Sequence, residues 1–221
     1  TRRISSAASD VYKRQGKTVN ITSSYSGADV NNYSVTDQST TTANITAKAL
    51  TATASASNKV YNGSSAATAT LSLSGFIGSE TVTSTNSSTF NNKNVGTGKT
   101  VTVNSITLAN GSNGGLAANY TISTGQTTTA NVTAKALTVS GITASNKTYN
   151  GNAVATLNTG SVAYSGLVDG DTFDGTYTGA FSDKNVGTGK TVTITPSYSG
   201  ADVSNYSITT VSYTHLRAHE T

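Results

Sequence analysis

The sequence predicts an all-β protein made of tandem small antiparallel β-sandwich-like modules, with little or no helix. Three observations predict it. Small apolar and hydroxyl-bearing residues alternate with a period of two, as in Ala67-Thr68-Ala69-Thr70-Leu71-Ser72-Leu73, which sets Ala and Leu on one face and Thr and Ser on the other. Asn-Gly pairs at Asn62, Asn110 and Asn150 punctuate these runs and mark hairpin turns. Finally, KNVGTGKTVT at Lys93–Thr102 returns unchanged at Lys184–Thr193, and no window of helical length carries an apolar 3.6-residue period.

The recurrence extends well beyond that block. Residues 16–36 and 189–209 align without a gap and differ only at Asn20/Thr193, Ser23/Pro196, Asn31/Ser204 and Val35/Ile208. NKVYNG at Asn58 recurs as NKTYNG at Asn146, and TTTANITAKAL at Thr40 as TTTANVTAKAL at Thr127. The period is therefore about 87 residues, the mark of an array of similar units. The middle copy is longer around Asn110–Gly115, a polar stretch that reads as an extended hairpin loop.

Taken in order, the chain divides into five parts. Residues 1–15 and 211–221 do not follow the repeat. SSAASDVYKRQ and VSYTHLRAHET resemble translated sequencing-adapter sequence, and segments of that kind are excluded from fold reasoning. Residues 16–46 are the C-terminal fragment of a first module, 47–133 a complete second module, and 134–210 a third module without the TTTANVTAK strand that closes the second. Near-zero net charge in these parts, with Tyr, Phe, Val and Ile at matching repeat positions, argues for folded modules over disorder.

The apolar phase slips where modules meet. Ile45, Ala47 and Ala49 share one parity, and Leu50, Ala52 and Ala54 the other; the same slip recurs at Ala136 and Leu137. A one-residue shift turns every side chain to the opposite face. Ala-Lys-Ala-Leu is thus the junction between the last strand of one module and the first of the next, with no Pro- or Gly-rich linker between them.

Composition excludes several functions. The chain holds 14 Lys and Arg against 10 Asp and Glu, but five of those cations and two of those acids lie in the two ends. The remaining parts are nearly neutral and have no Arg, His, Cys or Trp. They lack the basic footprint of a nucleic-acid binder, and most nucleophile, general-base and zinc chemistry. No stretch approaches the roughly 20 apolar residues of a membrane span. The repeated block is not a phosphate loop either. G-x-x-x-x-G-K-[ST] needs an opening glycine where this chain has Lys93 and Lys184, and a strand-like Thr-Val-Thr follows instead of a helix. It reads as a turn leading into a core strand.

The second and third modules both carry K-A-L-T, then N-K-x-Y-N-G, K-N-V-G-T-G-K-T-V and N-Y-[ST]-I, and the third adds GLVDGDTF at Gly166–Phe173. Together these resemble the YDG repeat of large bacterial surface proteins, including adhesins of the filamentous-haemagglutinin, two-partner-secretion type. The resemblance covers residues 16–210, with Tyr61-Asn62-Gly63 and Tyr149-Asn150-Gly151 where the family name has Tyr-Asp-Gly. It implies an extracellular, all-β repeat module in a long exported protein, with no known catalytic residue; no cofactor or metal is expected.

Three groups are candidate sites. Asp169, Asp171, Asp174 and Asp183 form a carboxylate cluster, but lack the spacing and closing Glu of an EF-hand loop; a turn-forming role is expected. Tyr25, Tyr33, Tyr61, Tyr120, Tyr149, Tyr164, Tyr177, Tyr198 and Tyr206 recur mostly at equivalent places, which favours packing over sugar stacking. Lys59 and Lys147, with Asn neighbours, raise a Lys–Asn cross-link that no spacing requires. The leading reading is a non-enzymatic stalk or spacer whose partners are the neighbouring modules. The second is a module that itself binds host or bacterial cell-surface glycans or proteins. A cell-surface hydrolase is a weak third, since no acid pair or nucleophile constellation occurs in both modules.

Overall fold

The computed structural model describes residues 15–210, so both adapter-like ends lie outside the described residues apart from Gln15. The leading segment contributes β1 (Lys17–Asn20) and β2 (Thr40–Ala43). The second repeat contributes β3 (Lys48–Ala49), β4 (Thr51–Ala56), β5 (Lys59–Val60), β6 (Ala66–Ala67), β7 (Ala69–Ser74), β8 (Val82–Phe90), β9 (Gly96–Asn110), β10 (Tyr120–Thr121) and β11 (Thr127–Thr133). The third contributes β12 (Lys135–Ser140), β13 (Thr143–Ala144), β14 (Val154–Ala155), β15 (Leu157–Asn158), β16 (Ala163–Ser165), β17 (Asp174–Phe181), β18 (Val192–Ser199) and β19 (Tyr206–Thr210). The helical content of the described residues is three single 3₁₀ turns: Val30–Asn32, Ala117–Asn119 and Val203–Asn205. Each stands immediately before the tyrosine of an Asn-Tyr pair, so even this detail follows the repeat.

The fold is all-β, as the alternation predicts. Ladders are mostly antiparallel: β17 and β18 pair from Asp174↔Ser199 to Phe181↔Val192. Three parallel pairs join them, and two are equivalent. β3 runs parallel to β10, and β12 runs parallel to β19 from Lys135↔Tyr206 to Val139↔Thr210. The Lys-Ala-Leu strand that opens a repeat thus lies beside the Asn-Tyr strand near its end. Burial of the shared tyrosine follows this pairing. Tyr120 and Tyr206 are 4% and 7% exposed, whereas Tyr33, with no such strand paired beside it among the described residues, is 73% exposed.

The phase slip is visible in the packing. β11 buries Ala130 and Val132, and β12 buries Leu137 and Val139, so the inward parity changes between them. The change falls within Ala134-Lys135-Ala136-Leu137, with Ala134 outside both strands. At Asn131 the β9–β11 register shifts by a bulge. Its extra backbone N–H donates to the Asn58 side-chain oxygen (2.7 Å), and its own side-chain oxygen accepts from Gly98 N–H (2.8 Å). Two side chains therefore satisfy what the ladder cannot.

The described chain forms two compact units that cut across the repeats. One comprises residues 15–53, Leu71–Thr85 and Ile106–Thr124, with a core of Leu50, Val82 and Tyr120 and flanking Leu73, Phe76, Leu108 and Ile122. The other comprises Ala54–Thr70, Asn86–Ser105 and residues 125–210. Its core joins Tyr61, Phe90, Val101, Ala130 and Val132 of the second repeat to Leu137 and Tyr206 of the third. One hydrophobic core thus serves parts of two repeats.

Gly166 shows how closely the loops of that second unit approach its strands. It has φ +101°, and a Cβ there would sit 2.5 Å from the Ala136 carbonyl oxygen. Gly166→Ala is expected to cost about 2 kcal/mol through backbone strain and this clash. A thermal melt should show the midpoint falling by several degrees.

Candidate functional site

Asp171 is the centre of the most elaborate polar cluster in the second unit. The turn Val168–Asp171, closed by Asp171 N–H to Val168 carbonyl (3.1 Å), directs its carboxylate inward, where the side chain is 3% exposed. That carboxylate accepts hydrogen bonds from Tyr206 Oη (2.5 Å), Tyr61 Oη (2.8 Å) and Lys93 Nζ (3.0 Å). Lys93 Nζ also reaches Asp202 Oδ1 at 2.8 Å and lies over the Tyr61 ring, 5.8 Å from its centroid. The Tyr61 and Tyr206 rings meet edge to face at 5.6 Å, a favourable aromatic geometry.

A second set of bonds flanks this cluster. Asn205, fully buried, accepts Val95 N–H on its side-chain oxygen (2.9 Å) and donates from Nδ2 to the Asn94 side chain (3.3 Å). Asp202 Oδ2 accepts Thr172 N–H, and Tyr206 Oη accepts Val168 N–H, both at 3.0 Å. The origin of these residues is the main finding. Tyr61 comes from Y-N-G, and Lys93, Asn94 and Val95 come from the repeated block, all in the second repeat. Asp171, Asp202, Asn205 and Tyr206 come from the third. Tyr61, Lys93, Asn205 and Tyr206 recur in the repeats, and with Asp171 and Asp202 they hold one repeat against the next.

The electrostatics follow from this geometry. Burial pushes the Asp171 carboxyl upward, but hydrogen bonds from Tyr206, Tyr61 and Lys93 outweigh it and hold the group below its usual range. Asp202 is lowered by the Lys93 ammonium and by Thr172 N–H. Lys93 is raised well above its usual range by Asp202, Tyr61 and Asp171. Tyr206 is pushed up to about 12 by burial and by its bond to Asp171. Depressed carboxyls contribute stability above their unfolded value of 3.8 that is lost as pH falls through the folded value. Raised phenols contribute stability below 10.0 that is lost as pH rises through the folded value. The melting temperature is therefore expected to hold level from about pH 5 to about pH 9 and to fall on the acid side. In Asp171→Asn that acid limb should become shallower.

The first unit repeats the motif in reduced form. Tyr120 Oη donates to Glu80 Oε2 (2.6 Å) and accepts Ile77 N–H (3.2 Å), as Tyr206 does with Asp171 and Val168. Phe76 meets the Tyr120 ring at 5.6 Å. Gly75-Phe-Ile-Gly-Ser-Glu80-Thr and Gly166-Leu-Val-Asp-Gly-Asp171-Thr thus share one acid column. Leu116 stands at the position of Asp202.

The sequence candidates separate on this structure. Asp171 serves the junction as well as its turn, Asp174 accepts its neighbour's Gly175 N–H, and Asp183 accepts Asn185 N–H and pairs with Lys190. Among the described residues no three acids converge as a metal-ligand group. Tyr61, Tyr120 and Tyr206 are core residues. Phe173 packs between the Tyr164 and Tyr198 rings, at 5.1 and 5.4 Å. Tyr25, Tyr33 and Tyr149 are exposed. Lys59 donates to the Ser64 and Ala66 carbonyls, and Lys147 to the Asn152 and Val154 carbonyls and the Asn152 side chain, so each clamps the loop after Y-N-G. In the block, Lys99 donates to the Asn92 side chain, a structural contact for the lysine of a would-be phosphate loop. Sequence reasoning missed Lys93, Asp202 and Asn205; the available signal was KNVG for Lys93, the Asn-Tyr pair of all three copies for Asn205, and for Asp202 the match of ADVSNY to ADVNNY in the leading segment.

Fold and junction define a tandem all-β repeat protein whose successive repeats share a core. Two copies of the YDG domain match the chain, over residues 46–130 and 133–213, and the chain belongs to that family. No curated protein and no solved structure matches it.

Proposed function

We propose that the chain is a non-enzymatic stalk or spacer segment of a large exported bacterial surface adhesin, of the filamentous-haemagglutinin, two-partner-secretion type. Its repeats project a distal adhesive domain, and their partners are one another. The observation that carries this reading is the Asp171–Lys93–Tyr61–Tyr206 junction. Tyr61, Lys93, Asn205 and Tyr206, which recur in the repeats, act with Asp171 and Asp202 of the third to fasten one repeat to the next through a shared core. That suits an array that must hold its modules together under tension. Among the described residues no helix is long and apolar enough to cross a membrane.

Competition tests the reading. Bacteria displaying the parent protein should be labelled at their surface by antibodies raised against this chain. Their adhesion should fall when the repeats are deleted, and the purified chain added in excess should leave adhesion unchanged. Strong inhibition by the purified chain would instead make the repeats the binding element and overturn the stalk reading. Failure of intact cells to label would remove the surface assignment.

A further inference from the structure

The lysine of N-K-x-Y-N-G makes the same contacts in both repeats. Lys59 Nζ donates to the Ser64 and Ala66 carbonyls at 2.6 and 2.9 Å and lies over the Phe90 ring. Lys147 Nζ donates to the Asn152 and Val154 carbonyls at 2.8 and 3.1 Å and lies over the Phe181 ring. Among the described residues, neither ammonium pairs with a carboxylate.

Ala66 and Val154 are edge residues. β6 ends its five-stranded sheet, and β14 ends its three-stranded sheet. The Ser65 carbonyl accepts Phe90 N–H of β8, and the Ala153 carbonyl accepts Phe181 N–H of β17, both at 2.8 Å. Backbone groups alternate in direction along an antiparallel pair, so the next residue, Ala66 or Val154, turns its N–H and C=O away from the sheet. Those outward groups are the ones a further strand would bind. Both are already taken. The lysine holds the carbonyl, and a side chain two residues upstream holds the N–H: Ser64 Oγ for Ala66 (3.1 Å) and Asn152 Oδ1 for Val154 (3.0 Å).

The segments covered in this way carry no safeguard of their own. Ser64–Ser74 and Asn152–Thr159 contain no charged residue, no Pro and no Gly. Val154 is 68% exposed. Uncharged, β-prone stretches of this kind pair readily with copies of themselves unless a charge or a Pro interrupts them. Here the charge is brought in from outside the segment, by a lysine 7 residues before the edge carbonyl in each repeat. The N–H is held by Ser in one repeat and Asn in the other, so what recurs is the contact and not the residue type.

We infer that the lysine of N-K-x-Y-N-G is an edge guard, which blocks antiparallel pairing of β6 or β14 with the same strand of a second copy of this chain. Such pairing is self-complementary, because the outward groups of one edge match those of an identical edge turned end to end.

Sedimentation velocity of the full chain over a range of concentrations tests this. The double variant Lys59→Met, Lys147→Met keeps an aliphatic stem over each ring and removes the ammonium. Its average mass should rise at concentrations at least about tenfold below any at which the parent's does. Lys17→Met, Lys48→Met loses the same charge at two exposed positions and should follow the parent. Ser64→Ala, Asn152→Ala changes no charge, frees the N–H of each edge, and should also lower the threshold. In the associated samples, hydrogen exchange of the Ala66 and Val154 amides should slow. A folded Lys59→Met, Lys147→Met variant that associates no more than the parent overturns the proposal, as does an equal effect from Lys17→Met, Lys48→Met. Association that leaves the Ala66 and Val154 amides as fast as in the monomer overturns it too. If loss of the lysines unfolds the chain, the Ser64→Ala, Asn152→Ala variant decides alone, and parent-like behaviour there rejects the guard.

Discussion

Asp171→Ala is expected to lower the stability of the second unit by about 3 kcal/mol, because it removes a buried acceptor on which three donors converge, two of them buried phenols. Tyr61 Oη, Tyr206 Oη and Lys93 Nζ all converge on this one carboxylate. Tyr206 Oη and Tyr61 Oη then face a void the size of the lost carboxylate, with no acceptor replacing it. Asp169→Ala is the control, two residues away on the exposed tip of the same loop, and should change stability by less than about 0.5 kcal/mol. Urea denaturation followed by circular dichroism reads both. The double variant Asp171→Ala, Lys93→Met should cost less than the sum of its single changes, since neither member of the Lys93–Asp171 pair is left without the other. The loss of the Lys93–Asp202 pair is common to the Lys93 single and the double variant and cancels from the cycle. Full additivity would mean that the ion pair is incidental to the junction. Because Lys93 belongs to the second repeat and Asp171 to the third, coupling between them would measure how firmly one repeat holds the next.

Much of this architecture was legible because the chain contains its own comparisons. Alternation of Thr with Val or Ile fixed which residues face inward, and the parity change at Ala134–Leu137 marked the strand break between repeats. Strand direction was not legible. A period of two assigns faces but not the sense of the neighbouring strand, so the parallel pairs β3–β10 and β12–β19 had no sequence signal. The acids divided in the same way. Asp169, Asp171 and Asp174 look alike as a Gly-Asp turn cluster, and burial distinguishes them only once the loop is folded. Alignment of Glu80 with Asp171 was the usable hint, since a single acid recurs in that column. Most instructive is the KNVGTGKTVT block. Identical residues form a paired strand in one place and an irregular segment in the other, because the strand partner that decides the matter lies some thirty residues downstream.

The same dependence on surroundings gives the largest expected contrast. Tyr61→Ala and Tyr149→Ala change the same residue of the same Y-N-G motif, one repeat apart. Tyr61 is fully buried in the shared core, stacked edge-on to Tyr206 and bonded to Asp171. Its removal is expected to cost about 3–5 kcal/mol, from lost apolar burial, the residual cavity and a stranded Asp171 bond. For a unit of this size that lowers the melting midpoint by about 10 °C or more. Tyr61→Phe keeps the ring and should cost only about 1–2 kcal/mol, which separates packing from the hydroxyl bond. Tyr149→Ala should fall within about 0.5 kcal/mol of the parent, since that ring is largely in solvent. The readout that identifies a shared core is where the damage appears. Hydrogen exchange at β12 and β19, both in the third repeat, should accelerate in Tyr61→Ala although the substitution lies in the second. If exchange there were unchanged while β5 and β11 lost protection, the two repeats would be folding separately, and the Asp171 cluster would be a contact between finished modules instead of part of their common core.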